Sequence, residues 1–519
     1  MKPVRLISGF LTVGGWTLAS RCLGFARDIV MASTLGAGPV AEAFLIAFAL
    51  PNMFRRFFAE GALNMAFVPL FAKKLAAGED AMLFARDAAS ALATLLLVLC
   101  LLAQVVMPWL VYAMASGFSC DERFTLAVAY GRIAFPYILF ISLAAILSGI
   151  LNTLGRFAAA AAAPVVLNVL FLGAVGLALR LGWPLGDTLA WTVPVAGVAQ
   201  MALLWFAARQ AGYTLWLRRP RITPDLRRLA WIAGPALLAG GVSQVNLLVG
   251  RQIASFYDGA VAWLSYADRL YQLPLGVVGI AIGVVLLPDL ARRLRAGDED
   301  GGQASLNRAG EFALALTIPA ATALAVIALP LIQTLFQRGA FSAHDAQATA
   351  LALAIYGLGL PAFVLHKVLQ PLFYAREDTN RPFHYALICL GVNLGLAVGL
   401  MPVAGFLAAP IAMSGAAWVM VILLWCGSRR MGNAAQIDAR LGHRLPRILA
   451  ASAVMGAALA IAAALLAPAL ADQGWRYGAL FALVGLGLGS YFGTGTLLGA
   501  FRLAEFRAVV SRKGPKTSA

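Results

Sequence analysis

Apolar runs of roughly 20 residues recur from one end of this 519-residue chain to the other, separated by short turns rich in Gly, Pro and charge. A run of that length crosses a hydrocarbon core about 30 Å thick as an α-helix, and in lipid only a helix or a closed barrel satisfies its own backbone. Composition agrees: 61% of residues are hydrophobic and 12% charged, against about one quarter charged in a soluble domain. The chain reads as an all-α polytopic membrane protein with no long soluble domain. The N-terminal stretch MKPVRLISGFLTVGG starts basic and apolar like a signal peptide, but the apolar pattern runs on through Arg21 and Arg27 without a persuasive cleavage site, so a retained first helix is expected. The five cysteines are scattered and suggest neither a disulfide framework nor a metal site.

Segmentation gives about 14 transmembrane helices, near 8–34, 40–71, 84–115, 124–151, 160–181, 187–209, 226–256, 261–291, 308–336, 346–375, 382–402, 405–427, 446–470 and 476–500. With the N-terminus placed inside, roughly 30 of the 40 Lys and Arg fall on the cytoplasmic side, Lys73, Lys74, Arg292, Arg293, Arg429, Arg430 and Lys513 among them. About four fall outside: Arg123, Arg180, Arg338 and Arg476. Both termini are therefore expected in the cytoplasm. The net charge of +17 becomes a topology signal and an attraction to anionic headgroups, and no nucleic-acid partner is expected.

Two stretches repeat. PLFAKKLAAGED at 69–80 and PDLARRLRAGDE at 288–299 carry proline, a basic pair, Ala-Gly and acids in register, and LPN at 50–52 and LPL at 273–275 mark an earlier correspondence. The repeat unit is six helices. An even number keeps both copies pointing the same way, which predicts two lobes related by an axis along the membrane normal, with a substrate path at their interface. The expected division is an N-lobe at 1–222, a C-lobe at 223–430, and at 431–519 two extra helices with a basic tail.

Some charges lie within the spans, where each costs at least ~2.5–3.5 kcal/mol if it faces lipid. The first span holds Arg21, Arg27 and Asp28; the second holds Glu42, Arg55, Arg56 and Glu60; the eighth holds Asp268 and Arg269. Arg132, Arg251 and Lys367 also fall within spans, where snorkelling or a place at the cavity rim explains them. On a regular helix Arg21 and Arg27 diverge by about 120°. A bend at Gly24 or nearby is therefore expected if both serve one cavity. Arg27 with Asp28, Arg56 with Glu60 and Asp268 with Arg269 can each be read as a packing ion pair. That reading leaves the excess of arginine over acid unexplained. A cavity lined by arginine suits phosphate, because the planar guanidinium gives two parallel hydrogen bonds and stays charged. A pyrophosphate headgroup fits it better than a cationic drug.

The blocks SRCLGFARD (20–28), ALPNMFRRFFAEGALNMAFVP (49–69), FPYILFISLAAILSGILNTLGRF (135–157) and YADRLYQLPLGVVG (266–279) resemble the MurJ (MviN) family, the lipid II flippases of bacterial peptidoglycan synthesis. The resemblance covers nearly the whole chain. It implies membership of the multidrug/oligosaccharidyl-lipid/polysaccharide exporter superfamily, and alternating access that carries lipid II from the cytoplasmic to the periplasmic face of the inner membrane. It also implies a groove for the lipid tail on the two extra helices. Matched block by block, it places substrate-binding arginines at Arg21, Arg27, Arg55 and Arg269. Asp28, Glu42, Arg56, Glu60 and Asp268 form a supporting charge network, with Glu42 where an aspartate is common. Ala49 departs from the pattern, standing where relatives often have a basic residue. Lipid II, membrane lipids and proteins of cell-wall synthesis are the implied partners. No cofactor is expected; the family is linked to membrane potential and to sodium or chloride, but no ion site here matches strongly enough to name.

Three other readings compete. A multidrug exporter of the same superfamily would be expected to line its cavity with acid rather than arginine. A flippase for another polyprenyl-pyrophosphate oligosaccharide shares the charge logic and is separated only by the family blocks. An integral-membrane enzyme would need clustered His, Asp, Cys or Ser at a membrane face, and the four histidines, His344, His366, His384 and His443, are dispersed. No GxxxxGK[ST] loop for nucleotide hydrolysis occurs.

Overall fold

The computed structural model describes residues 6–56, 63–429 and 431–501, and all regular structure among them is helical. The chain divides into two compact units, Met1–Ser265 with Arg338–Asp345, and Tyr266–Gln337 with Ala346–Ala519. The first unit contains α1 (Leu6–Leu35), α2 (Pro39–Arg55), α3 (Leu63–Ala76), α4 (Ala81–Met114), α5 (Glu122–Ala134), α6 (Tyr137–Thr153), α7 (Ala158–Leu181), α8 (Leu185–Gln210) and α9 (Pro224–Ala254). Helix α10 (Ala260–Arg295) starts there and continues into the second unit. That unit also holds α11 (Glu299–Val326), α12 (Ala328–Phe336), α13 (Ala343–Tyr374), α14 (Asn380–Ala404), α15 (Ala408–Ser428), α16 (Ala439–Leu465), α17 (Ala467–Ala471) and α18 (Arg476–Leu497). The first residues of α13 belong to the first unit.

Each apolar stretch of the sequence coincides with one helix or with two in succession. Nine stretches among the described residues are long and apolar enough to cross a membrane by length and composition. Where a stretch is divided, proline explains several of the breaks. Pro136 separates α5 from α6, Pro330 lies in the first turn of α12, and Pro468 lies in the first turn of α17. A proline removes a backbone donor and is tolerated in a first turn, where that donor has no helical partner.

The repeated stretches close in the same turn. After Lys73 and Lys74 the chain passes through Gly78 at φ 70°, and after Arg292 and Arg293 through Gly297 at φ 73°. The following helix is then capped by an aspartate, Asp80 accepting from the Leu83 N–H at 2.9 Å and Asp298 from the Gly301 N–H at 2.8 Å. A basic side chain reaches the acid five residues on in both, Lys74 to Glu79 at 2.6 Å and Arg293 to Asp298 at 3.2 Å. Lys74 also meets Asp225 at the start of α9, at 3.0 Å, and the two acids raise its ammonium above the usual lysine range.

Within the first unit α1 packs on α7, α2 on α5, and α8 on both α6 and α7; within the second α14 packs on α15, and α16 on α11 and α18. Small residues let backbones approach closely, as in other membrane bundles. Gly117 is one such place: a Cβ there would lie 2.5 Å from the Ser255 carbonyl carbon, while its own N–H donates to the Ser255 hydroxyl at 3.0 Å.

Candidate functional site

Helix α1 is continuous from Leu6 to Leu35 and its helical hydrogen-bonded path runs through Gly24 without a break. Gly24 marks a crossing with α7. A Cβ at Gly24 would stand 3.5 Å from the Asn168 amide, and that amide donates to the Ser20 carbonyl at 3.1 Å. The missing side chain makes room for this neighbour.

The two arginines of α1 consequently live in different surroundings. Arg27 is buried, and its Nε and Nη2 both donate to Asp28 Oδ1, at 3.2 and 2.8 Å. Its guanidinium also lies 5.4 Å from the centre of the Phe171 ring, which packs with Phe44 and Phe48 of α2. Arg21 is exposed and has no ion pair or hydrogen bond among the described residues. On α2, Arg55 is half-buried and donates from Nε to the Asn52 side chain at 3.3 Å, and Asn52 is itself anchored on the Phe48 carbonyl at 2.9 Å. Arg56 is exposed at the C-cap of the same helix. Glu60 lies outside the described residues. In the second unit Asp268 is half-buried and accepts a hydrogen bond from Gln272, while the next side chain, Arg269, is exposed. Among the described residues, these positions include the buried Arg27–Asp28 pair and the exposed side chains of Arg21, Arg56 and Arg269.

Glu42 belongs to a separate cluster. It is 1% exposed in the first turn of α2, where its Oε2 accepts from Arg123 Nη1 at 2.9 Å and its Oε1 from the Val261 N–H at 3.0 Å. Arg123 is also met by Asp121 at 2.5 Å and Asp258 at 2.9 Å, and it lies 4.5 Å from the centre of the Phe118 ring. Sequence reasoning treated Arg123 only as an outside charge. Its placement in the first turn of α5 was a signal, because a cation there opposes the helix dipole and calls for compensating acid.

A second group escaped the sequence entirely. Glu311 of α11 is buried and receives Arg440 Nε at 3.0 Å and Nη2 at 3.3 Å, together with Arg444. The segment leading into α16 is strapped to α11 by Asn307, which donates to the Gln436 carbonyl at 2.8 Å and accepts from the Asp438 N–H at 3.1 Å. No group of three or more His, Cys, Asp or Glu with metal-binding geometry occurs among the described residues.

Among the described residues, apolar helices long enough to span a membrane, with charge buried between them and arginine presented from their surface, define a polytopic membrane protein with a candidate site for an anionic ligand. Comparison with known proteins narrows the class. A family model described as "Lipid II flippase MurJ" matches residues 31–485. The chain is 45% identical to a probable lipid II flippase MurJ of Rhizobium meliloti (strain 1021) and 43% identical to that of Rhizobium tropici, each over 99% of this chain and 98% of the relative. A solved lipid II flippase MurJ in an inward closed conformation superposes with a TM-score of 0.77 at 24% identity, over 96% of this chain and 99% of that one. An inward-facing multidrug transporter of the MATE family has the same fold at a TM-score of 0.68 and 15% identity, covering 81% of this chain and 96% of that one. The chain belongs to the MurJ family.

Proposed function

We propose that this protein flips lipid II, the undecaprenyl-pyrophosphate-linked peptidoglycan precursor, from the cytoplasmic to the periplasmic leaflet of the bacterial inner membrane. The observation that carries the reading is family membership at 43–45% identity over essentially the full length of both proteins. It acts as a transporter and not as an enzyme. Alternating access is the mechanism, supported by relatives of the fold solved in inward closed, inward-facing and outward-facing conformations.

The pyrophosphate is held by Arg21, Arg27, Arg55 and Arg269. Charge-assisted, two-pronged hydrogen bonds from guanidinium suit its oxygens, and arginine keeps its charge away from water. The exposure of Arg21 and Arg269 supports this role for them. For Arg27 the support is that Asp28 accepts from Nε and Nη2 through one oxygen, a pairing that orients the guanidinium. Asp28, Arg56, Glu60 and Asp268 tune the charges around the ligand, and Glu42 supports them at one remove by bracing α2 through Arg123. The six, six and two division at 1–222, 223–430 and 431–519 and cytoplasmic termini complete the proposal, the latter resting on the charge bias of the loops. Cell-wall synthesis proteins are the proposed protein partners, and a coupling ion is left unnamed.

The test is depletion of the native flippase in a bacterium complemented by this chain. Lipid II exposed outside is then scored by enzymatic cleavage in the periplasm. Restored cleavage supports the assignment; growth arrest with lipid II retained inside, despite normal membrane levels of the protein, contradicts it.

A further inference from the structure

Away from these arginines, α12, α16, α17 and the start of α18 enclose a cavity of about 460 Å³. One part of its wall is polar, with Gln333, Gln337, Gln473 and Arg476; another is apolar, with Leu329 and Leu470. Arg476 is the unusual member. Arg123 and Arg444 are buried with carboxylates against them, whereas Arg476 meets no carboxylate within 4 Å among the described residues. Its recorded hydrogen bonds are weak ones, from Nη1 to the Gln337 carbonyl at 3.3 Å and from Nη2 to the Tyr477 hydroxyl at 3.4 Å. Its Nε is buried and has no hydrogen-bond partner there. A buried donor left without a partner costs about 1–3 kcal/mol. The nearby acid, Asp472, is exposed, and its carboxylate accepts the Gly474 N–H at 2.9 Å.

Arg476 also opens α18, so it adds its charge to the positive end of a helix. Two positive features converge where no acid among the described residues answers them. Beside it Trp475, Tyr477 and Phe481 are exposed at 71%, 42% and 79%, a cluster of the kind that settles at headgroup level. The charge bias of the loops assigns this end of α18 to the outer face.

We infer that the cavity holds the headgroup phosphate of an anionic phospholipid from the outer leaflet. The phosphate oxygens accept from the Arg476 guanidinium and the glutamine amides, and an acyl chain follows Leu329 and Leu470. This goes beyond the transport assignment and does not depend on it. The lipid fastens the C-terminal helix pair to α12 through a ligand that bridges them.

The test uses the full-length purified protein in detergent, titrated with dioleoylphosphatidylglycerol, with bound copies resolved by native mass spectrometry and stabilisation followed by thermal unfolding. Wild type retains at least one phosphatidylglycerol tightly, and Arg476→Gln weakens that copy about tenfold or more through loss of charged hydrogen bonds. Arg476→Lys keeps most of the affinity, and Gln333→Leu loses a smaller part. Dioleoylglycerol, which lacks phosphate, binds neither form at this site. Equal phosphatidylglycerol binding by wild type and Arg476→Gln overturns the inference. So does a lipid-free unfolding temperature that falls alike in the Gln and Lys variants while neither changes lipid affinity, which marks a packing role. Displacement of the lipid by millimolar glycerol phosphate alone overturns the phospholipid assignment in favour of a free phosphate ester.

Discussion

Two arginine-bearing regions of the first unit, which the sequence separates only as an outside charge and a charge within a span, differ sharply in their surroundings. Arg123 is wrapped by Glu42, Asp121 and Asp258, so its charge is more than answered, and the carboxylate of Glu42 also takes the Val261 N–H. Among the described residues Arg21 and Arg27 on α1 have a single acid, Asp28, against them, and Arg21 stands exposed. The contrast teaches that a charge inside a membrane bundle announces function only when its donors outnumber its protein acceptors. The Glu42 and Arg123 cluster reads as a fastening, and the α1 pair as part of the proposed ligand site.

The largest expected effect sharpens that contrast at Arg27. Arg27→Ala should lower lipid II flipping by roughly tenfold to more than a hundredfold, the equivalent of one or two lost charged hydrogen bonds of about 1.5–3 kcal/mol each. Membrane levels should hold near wild type, and periplasmic cleavage of lipid II reads the outcome. At the fastening the effect should fall on stability instead. Glu42→Ala leaves Arg123 buried with two remaining acids, so a loss of about 3 kcal/mol is expected, at the low end for a broken buried pair. Thermal unfolding of the purified protein measures it; an unchanged transition with abolished transport would move Glu42 into the functional class. A smaller effect is expected from Arg21→Lys, which keeps the charge and gives up the planar fork. Transport should fall only several-fold, and complete loss would show that geometry outweighs charge there. The smallest effect belongs to Gly24→Ala. The added Cβ meets Asn168 at an ordinary 3.5 Å, so stability should shift by no more than about 1 kcal/mol and transport should persist. Loss of transport with normal folding would support the idea that α1 must bend at Gly24.

Much of the helical framework was legible because lipid imposes a length and an apolar composition on every span. Breaks at Pro136, Pro330 and Pro468 were readable in principle, since proline acts through its own missing donor. The repeat was legible down to its turn, because basic pair, glycine and acid are local features that Gly78 and Gly297 express as left-handed backbone. The partners of Glu42 and Glu311 were not. Arg123 lies 81 positions from Glu42, and Arg440 lies 129 from Glu311, separations over which no local pattern reports a contact. Gly24 was only half legible for a different reason. A glycine in a membrane helix serves close packing as readily as bending, and the packing role becomes visible only with the position of Asn168.

The account rests on arginines of the spans gripping the pyrophosphate of lipid II, and the most direct test is flipping in cells depleted of their own flippase. Cells would carry the wild-type chain, Arg21→Ala or Arg269→Ala at matched membrane levels, and lipid II reaching the periplasm would be counted by enzymatic cleavage. The account predicts full cleavage with the wild-type chain and a loss of roughly tenfold or more with each variant. Wild-type cleavage in both variants would contradict it.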